Sequence, residues 1–179
     1  MALRPIRLIG DDVLRKKAKK VERVNDFIRT LLDDMADTMY KHDGVGLAGN
    51  QIGVLKRVIV VDDGEGLLQL VNPVITEQSG SQTGTEGCLS LPDIYGDVER
   101  YDKITVKALD HRGIKVKIEA EGYLARILQH EIDHLEGKVF IDTASNIHEE
   151  KAASSEEIAE DKESNEEAVK EKLLSNHIN

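Results

Sequence analysis

The stretch YLARILQHEIDHLEG, residues 123–137, constrains the fold more than any other part of the chain. Leu124, Ile127, Leu128 and Leu135 recur at helical spacing on the side that also carries His130 and His134. Gly137 is a natural stop. The pattern predicts a helix from about Tyr123 to Glu136, buried along the face that bears the histidines. Residues four apart on a helix lie nearly one above the other, so both imidazoles can reach one point, with Glu131 at the rim. This is the spacing with which a helix holds a metal ion beside a general base.

Tetrahedral catalytic sites usually take three protein ligands and leave one position for water. An extended zinc-protease pattern needs a third histidine six residues after His134, but that position is Phe140. A glutamate from a following segment would have to be Glu149, Glu150 or a later residue of a charged, solvated tail. Upstream, the only cysteine, Cys88, lies in TEGCLSLP. A thiolate suits a borderline-soft divalent cation, so Cys88, His130 and His134 are the expected ligands. Taken singly, a buried histidine is more often a hydrogen-bonded core residue, and a lone cysteine a small apolar one. Taken together, a buried His-Glu-x-x-His helix without a cation would enclose three polar groups lacking partners.

The expected fold class is α+β, with small antiparallel or mixed β-sheets packed around a central buried helix carrying HEIDH. An N-terminal helix and a C-terminal helical tail complete it. Asn25 caps a helix with Phe27, Leu31, Met35 and Met39 on one face and Ile28 and Leu32 beside them, ending near Asp43–Gly44. VIVV (58–61) and LLQLVN (67–72) read as strands, with Pro73 limiting the second. TVKALD (105–110) and KVKIEAE (115–121) flank a turn at HRG and read as a hairpin. Residues 148–179 hold ten acidic and four basic side chains, too little apolar surface for a core. We therefore expect a catalytic domain over 1–146 and an acidic, partly helical tail over 147–179.

Three segments now resemble a known family. EGCLS at 86–90, HEIDH at 130–134 and the loop GVGLAGNQ at 44–51 are similar to the signature motifs of peptide deformylase, in the family's order. The early IRLIGDDVLR fits as well. One departure is Gly49, where the family motif has alanine; extra backbone freedom there predicts looser positioning of the loop, at about 0.5–1 kcal/mol. The resemblance implies a hydrolase that removes the N-formyl group from the N-terminal formylmethionine of new proteins and releases formate. It implies water activated at a Cys/His/His-bound divalent metal with Glu131 as general acid and base. Donors to the developing oxyanion would be the Gln51 amide and the Leu89 backbone N–H, each worth about 3 kcal/mol of barrier. Gly46, in the loop that Gly44 opens, would pair with an extended peptide. Val45, Tyr123 and Ile127 are candidates for the wall of a methionine pocket. Glu86 and Arg100 would brace the Cys88 segment as a buried ion pair, with Asp133 joining them. Ferrous iron is the implied metal; two imidazoles and a thiolate also accept zinc, nickel or cobalt.

The net charge of −10 argues against nonspecific nucleic-acid binding. No apolar run approaches a membrane span, and the N-terminus has no stretch long enough for a secretory signal. The expectation is a soluble, cytoplasmic protein acting on nascent formylmethionyl peptides. Its tail either contacts basic ribosomal protein surfaces in passing or adds solubility. Two other readings are a metallopeptidase with a tail glutamate as third ligand, and a metal-dependent binding module whose acidic tail docks a basic partner.

Overall fold

The computed structural model describes residues 2–150. Among the described residues, eight strands, two α-helices and three short 3-10 turns make an α+β fold. A five-stranded antiparallel sheet runs in the order β1 (Gly46–Ala48), β2 (Val58–Val61), β3 (Leu68–Ser79), β6 (Lys103–Leu109), β7 (Lys115–Glu121). A three-stranded antiparallel sheet holds β4 (Gln82–Cys88), β5 (Leu91–Arg100) and β8 (Ser145–Glu149). Every pairing between these strands is antiparallel, so neither sheet is mixed; a parallel bridge, Lys19 to Lys56, lies outside them.

The larger sheet lies between the two helices. Alternate residues of β2 face opposite ways, and all four are buried. Ile59 and Val61 pack with Leu128, Ile132 and Leu135 of α2 (Gly122–Leu135). Val58 and Val60 pack with Leu31, Leu32, Met35 and Met39 of α1 (Asp26–Lys41). This double burial explains why VIVV is an unbroken apolar run rather than an alternating one.

The Asn25 side chain caps α1 by accepting from the Ile28 N–H at 3.1 Å. Phe27 departs from expectation: it is 56% exposed, and the buried stripe begins at Ile28. Helical side chains lean toward the N-terminus, so a first-turn residue projects past the core. α2 is as expected within a residue, and Gly137 adopts φ +74° behind it. A Cβ there would lie 2.5 Å from the Arg15 carbonyl oxygen, so this stop needs glycine for space as well as conformation.

Pro73 does not end its strand. β3 runs through it by a bulge between Val71 and Val74, with Asn72 at φ +54°. The Asn72 side chain donates to Val21 O and accepts from Val21 N, both at 2.8 Å, so the irregular backbone is tied to the N-terminal segment. The β6–β7 hairpin forms as read, with the Asp110 carboxylate accepting from the N–H groups of Arg112 and Ile114 in its turn. β8 crosses the boundary expected between residues 146 and 147 and pairs with β5 through Glu149. The tail expected to be helical falls outside the described residues beyond Glu150.

Candidate metal centre

α2 has a second working side, turned to the smaller sheet. From it His130 and His134 meet Cys88, the last residue of β4. Donor atoms of the three side chains lie within 4.8 Å of one another. The Cys88 Sγ is 3.3 Å from His134 Nε2, which is 3.2 Å from His130 Nε2. Bonds of about 2.0–2.3 Å at tetrahedral angles would hold such donors roughly 3.3–3.6 Å apart, so the set fits one cation. Neutral imidazoles with facing lone pairs repel, and a shared cation removes that repulsion.

The His130 ring is oriented from behind. Its Nδ1 lies 2.8 Å from Glu86 Oε2, which fixes the proton on Nδ1 and leaves Nε2 bare. Glu86 is itself clamped: Arg100 reaches both of its oxygens, at 2.9 and 3.0 Å, and also Asp133 at 2.5 Å. Burial pushes the Glu86 carboxyl up, but His130 and Arg100 outweigh it and hold the group ionised, well below its ordinary range. The Glu86–Arg100 pair with Asp133 matches the sequence reading.

Beside the donors lies Glu131, 4% exposed, with Oε2 lacking any hydrogen-bond partner. Burial pushes its carboxyl up to about 7. Such a group can exchange a proton near neutral pH. Gly46 of β1 packs directly on this carboxylate: a Cβ at Gly46 would lie 2.3 Å from Glu131 Oε1. Opposite, Gln51 sits in the buried 3-10 turn Gly49–Ile52. Its Oε1 accepts from the Ala48 N–H at 2.8 Å, which turns Nε2 toward Cys88 Sγ and Ser90 Oγ, each at 3.3 Å.

These groups open into a cavity of about 800 Å³. Gly44, Val45, Gly46, Gln51, Leu89, Tyr123, Ile127, His130 and Glu131 all line it, so the residues singled out from sequence share one space. Val45 and Tyr123 stand at its exposed rim, whereas Ile127 is buried. β1 is the edge of its sheet on this side, with main-chain groups not engaged by β2. The turn at Gly49 is tighter than expected: a Cβ there would lie 2.7 Å from both the Val54 and Lys56 carbonyl oxygens.

Two participants were missed in the sequence. Ser90 accepts from Gln51; it closes the EGCLS motif, but its residue type alone did not assign it a partner. Arg126, also on the cavity, donates to Glu86 Oε1 at 2.7 Å. It had a signal, since it lies four residues before His130 on the ridge shared by both histidines.

Comparison with known proteins points to one family. The family model described as polypeptide deformylase matches residues 3–150. A peptide deformylase of Thermoanaerobacter pseudethanolicus is 59% identical over 144 residues, covering 80% of this chain and 91% of the relative. One from Pelotomaculum thermopropionicum is 58% identical over 147 residues, covering 82% and 95%. The crystal structure of peptide deformylase from Thermotoga maritima superposes with a TM-score of 0.80 at 43% identity, covering 81% of this chain and 99% of that one. The Synechococcus elongatus enzyme, solved in complex with actinonin, gives 0.78 at 42% identity, covering 80% and 79%.

Proposed function

This chain belongs to the polypeptide deformylase family, and on that premise we propose that it hydrolyses the N-formyl group of formylmethionyl nascent peptides, with each site residue in a specific role. The carrying observation is the convergence of Cys88, His130 and His134 beside an unpartnered, buried Glu131 carboxylate. Cys88, His130 and His134 would hold one divalent cation. When bound, that cation supplies Lewis acidity and a water of lowered pKa.

Glu131 takes a proton from the attacking water as the formyl carbon becomes tetrahedral, then delivers it to the departing amine. Water thereby adds its oxygen to the formyl carbon, the C–N bond breaks, and formate and a free amino terminus leave. The Gln51 Nε2–H and the Leu89 N–H donate to the formyl oxygen as it gains charge. Because Gln51 is pinned by Ala48, little reorganisation accompanies the reaction, so the donor favours the transition state over the ground state. The peptide extends along Gly44–Gly46, where the chain enters the free edge strand β1, as an added strand. Its methionine side chain enters among Val45, Tyr123 and Ile127.

Ferrous iron is the metal we assign, with zinc, nickel or cobalt able to substitute; a ferrous thiolate site makes Cys88 the point of oxidative damage. The substrate places the enzyme in the cytoplasm, with transient approach to the ribosome. No described helix is long and apolar enough to cross a membrane. Anaerobically prepared protein should release formate from a formyl-Met peptide. Glu131→Gln should lose at least about 10²-fold in kcat while retaining its metal. Unimpaired turnover in that variant would refute the assignment.

A further inference from the structure

Arg126 is a buried arginine whose guanidinium touches no other side chain than Glu86 among the described hydrogen bonds. Its Nη1 also donates to Val98 O at 2.9 Å and Gly84 O at 3.3 Å, and its Nη2 to Gln82 O at 3.2 Å. One side chain of α2 thus grips both strands of the hairpin that delivers Cys88: Gln82 and Gly84 on β4, Val98 on β5. The same Nη1 holds Glu86 Oε1, which Arg100 Nε shares at 2.9 Å. The other oxygen of Glu86 is divided between Arg100 Nη2 and His130 Nδ1.

We propose that Arg126 is a positioning residue of the metal centre, fixing the distance between the Cys88 strand and the His130–His134 helix. The two kinds of ligand come from different layers. Arg100 sits on β5 and reaches α2 at Asp133, which is a third exposed. Arg126 makes the reverse link from the helix, and both of its ends are buried. Removing it would leave a carboxylate oxygen short of a donor and the grip on three carbonyls lost, at the seam the ligands bridge. Partners that orient metal ligands in this way typically set affinity by 10–100-fold.

The inference rests on the Cys88–His130–His134 reading, and the test separates the two. The full chain is loaded with cobalt(II), and transfer of the ion to excess chelator is followed with the thiolate-to-cobalt absorption band. Arg126→Met should release cobalt about 10–100-fold faster than the unaltered chain, with a shifted band, and Arg126→Lys should fall between them. Gln129→Met is the control for general loosening. Gln129 joins the same helix to the main chain of Tyr101 at 2.8 and 3.0 Å, with no contact to Glu86. It should lower thermal stability and leave cobalt release unchanged. Release at the parental rate in Arg126→Met overturns the proposal, as does equal acceleration in Gln129→Met. Should Arg126→Met fail to fold, parental release in Arg126→Lys overturns it instead. A parental chain that binds no cobalt with a thiolate band overturns the ligand reading itself.

Discussion

Gly49→Ala sets two physical effects against each other, and the structure decides the sign. Gly49 opens a 3-10 turn with a backbone angle that alanine can adopt. On conformational grounds alone the substitution should stabilise by about 0.4–1 kcal/mol, because the unfolded chain loses freedom. Space gives the opposite answer. The added Cβ would stand 2.7 Å from the carbonyl oxygens of Val54 and Lys56 and 3.2 Å from Val58 Cγ2. The two nearer obstacles are backbone atoms already engaged: Lys56 N donates to Val54 O, and Val58 N to Lys56 O, both at 2.8 Å. They cannot swing aside as a side-chain tip would. Overpacking of this kind costs about 1–3 kcal/mol, so the net effect is a loss of roughly 0.5–2 kcal/mol. For a chain of this size that lowers Tm by about 1–8 °C. Gln51 lies two residues on, and its amide is aimed by the same turn, so kcat should fall while KM changes little. Urea unfolding of the metal-loaded protein and formate release read the two effects. A variant as stable as its parent, or more so, with full kcat would refute the steric reasoning.

Gln51→Leu keeps the volume of the turn but removes the donor, so kcat should drop by about 10²–10³-fold with the metal retained; an unchanged kcat excludes the oxyanion role. Gly46→Ala drives a methyl group into the Glu131 carboxylate and should depress turnover more than substrate affinity, as the KM and kcat of a formyl-Met tripeptide would show. Burial raises the Asp34 carboxyl, but bonds from Ala2 N–H and Arg4 outweigh it and hold the group below its usual 3.8. The unfolded chain therefore binds the proton first, and Asp34 stabilises the fold above about pH 4 and less as the pH falls below it. Asp34→Asn should accordingly lower Tm at pH 7 and converge with the parent in acid; a gap independent of pH would contradict this.

What could be read from sequence was periodic or covalently local. α2 declared itself through leucines at helical spacing and a glycine stop, α1 through Asn25 and its apolar stripe, and β2 through an unbroken valine-isoleucine run. The Cys88–His130–His134 cluster was legible because a thiol and two imidazoles are rare and costly to bury unused. β4 and β5 were not legible. QTGTEGC and LPDIYGDVER show no steady alternation, because these strands devote inward positions to Glu86, Arg100 and the buried Gly96, where an added Cβ would lie 3.0 Å from Ala144 Cβ. The run through Pro73 was hidden because a bulge and the Asn72–Val21 bonds absorb the missing donor, and those are tertiary facts. Arg126 was overlooked for a similar reason: an arginine beside apolar helix positions reads as a solvated edge until the carbonyls it meets are known.

The donors that would surround the cation lie 46 residues apart along the chain, one closing a hairpin and the others on a helix made much later. During synthesis, therefore, the thiol emerges first, and on the proposed ligand set an ion would be captured only when His134 has cleared the exit tunnel and the helix has docked. Loading is in this sense a report on completed folding: a chain whose two layers have failed to meet is not a weak catalyst but an empty one.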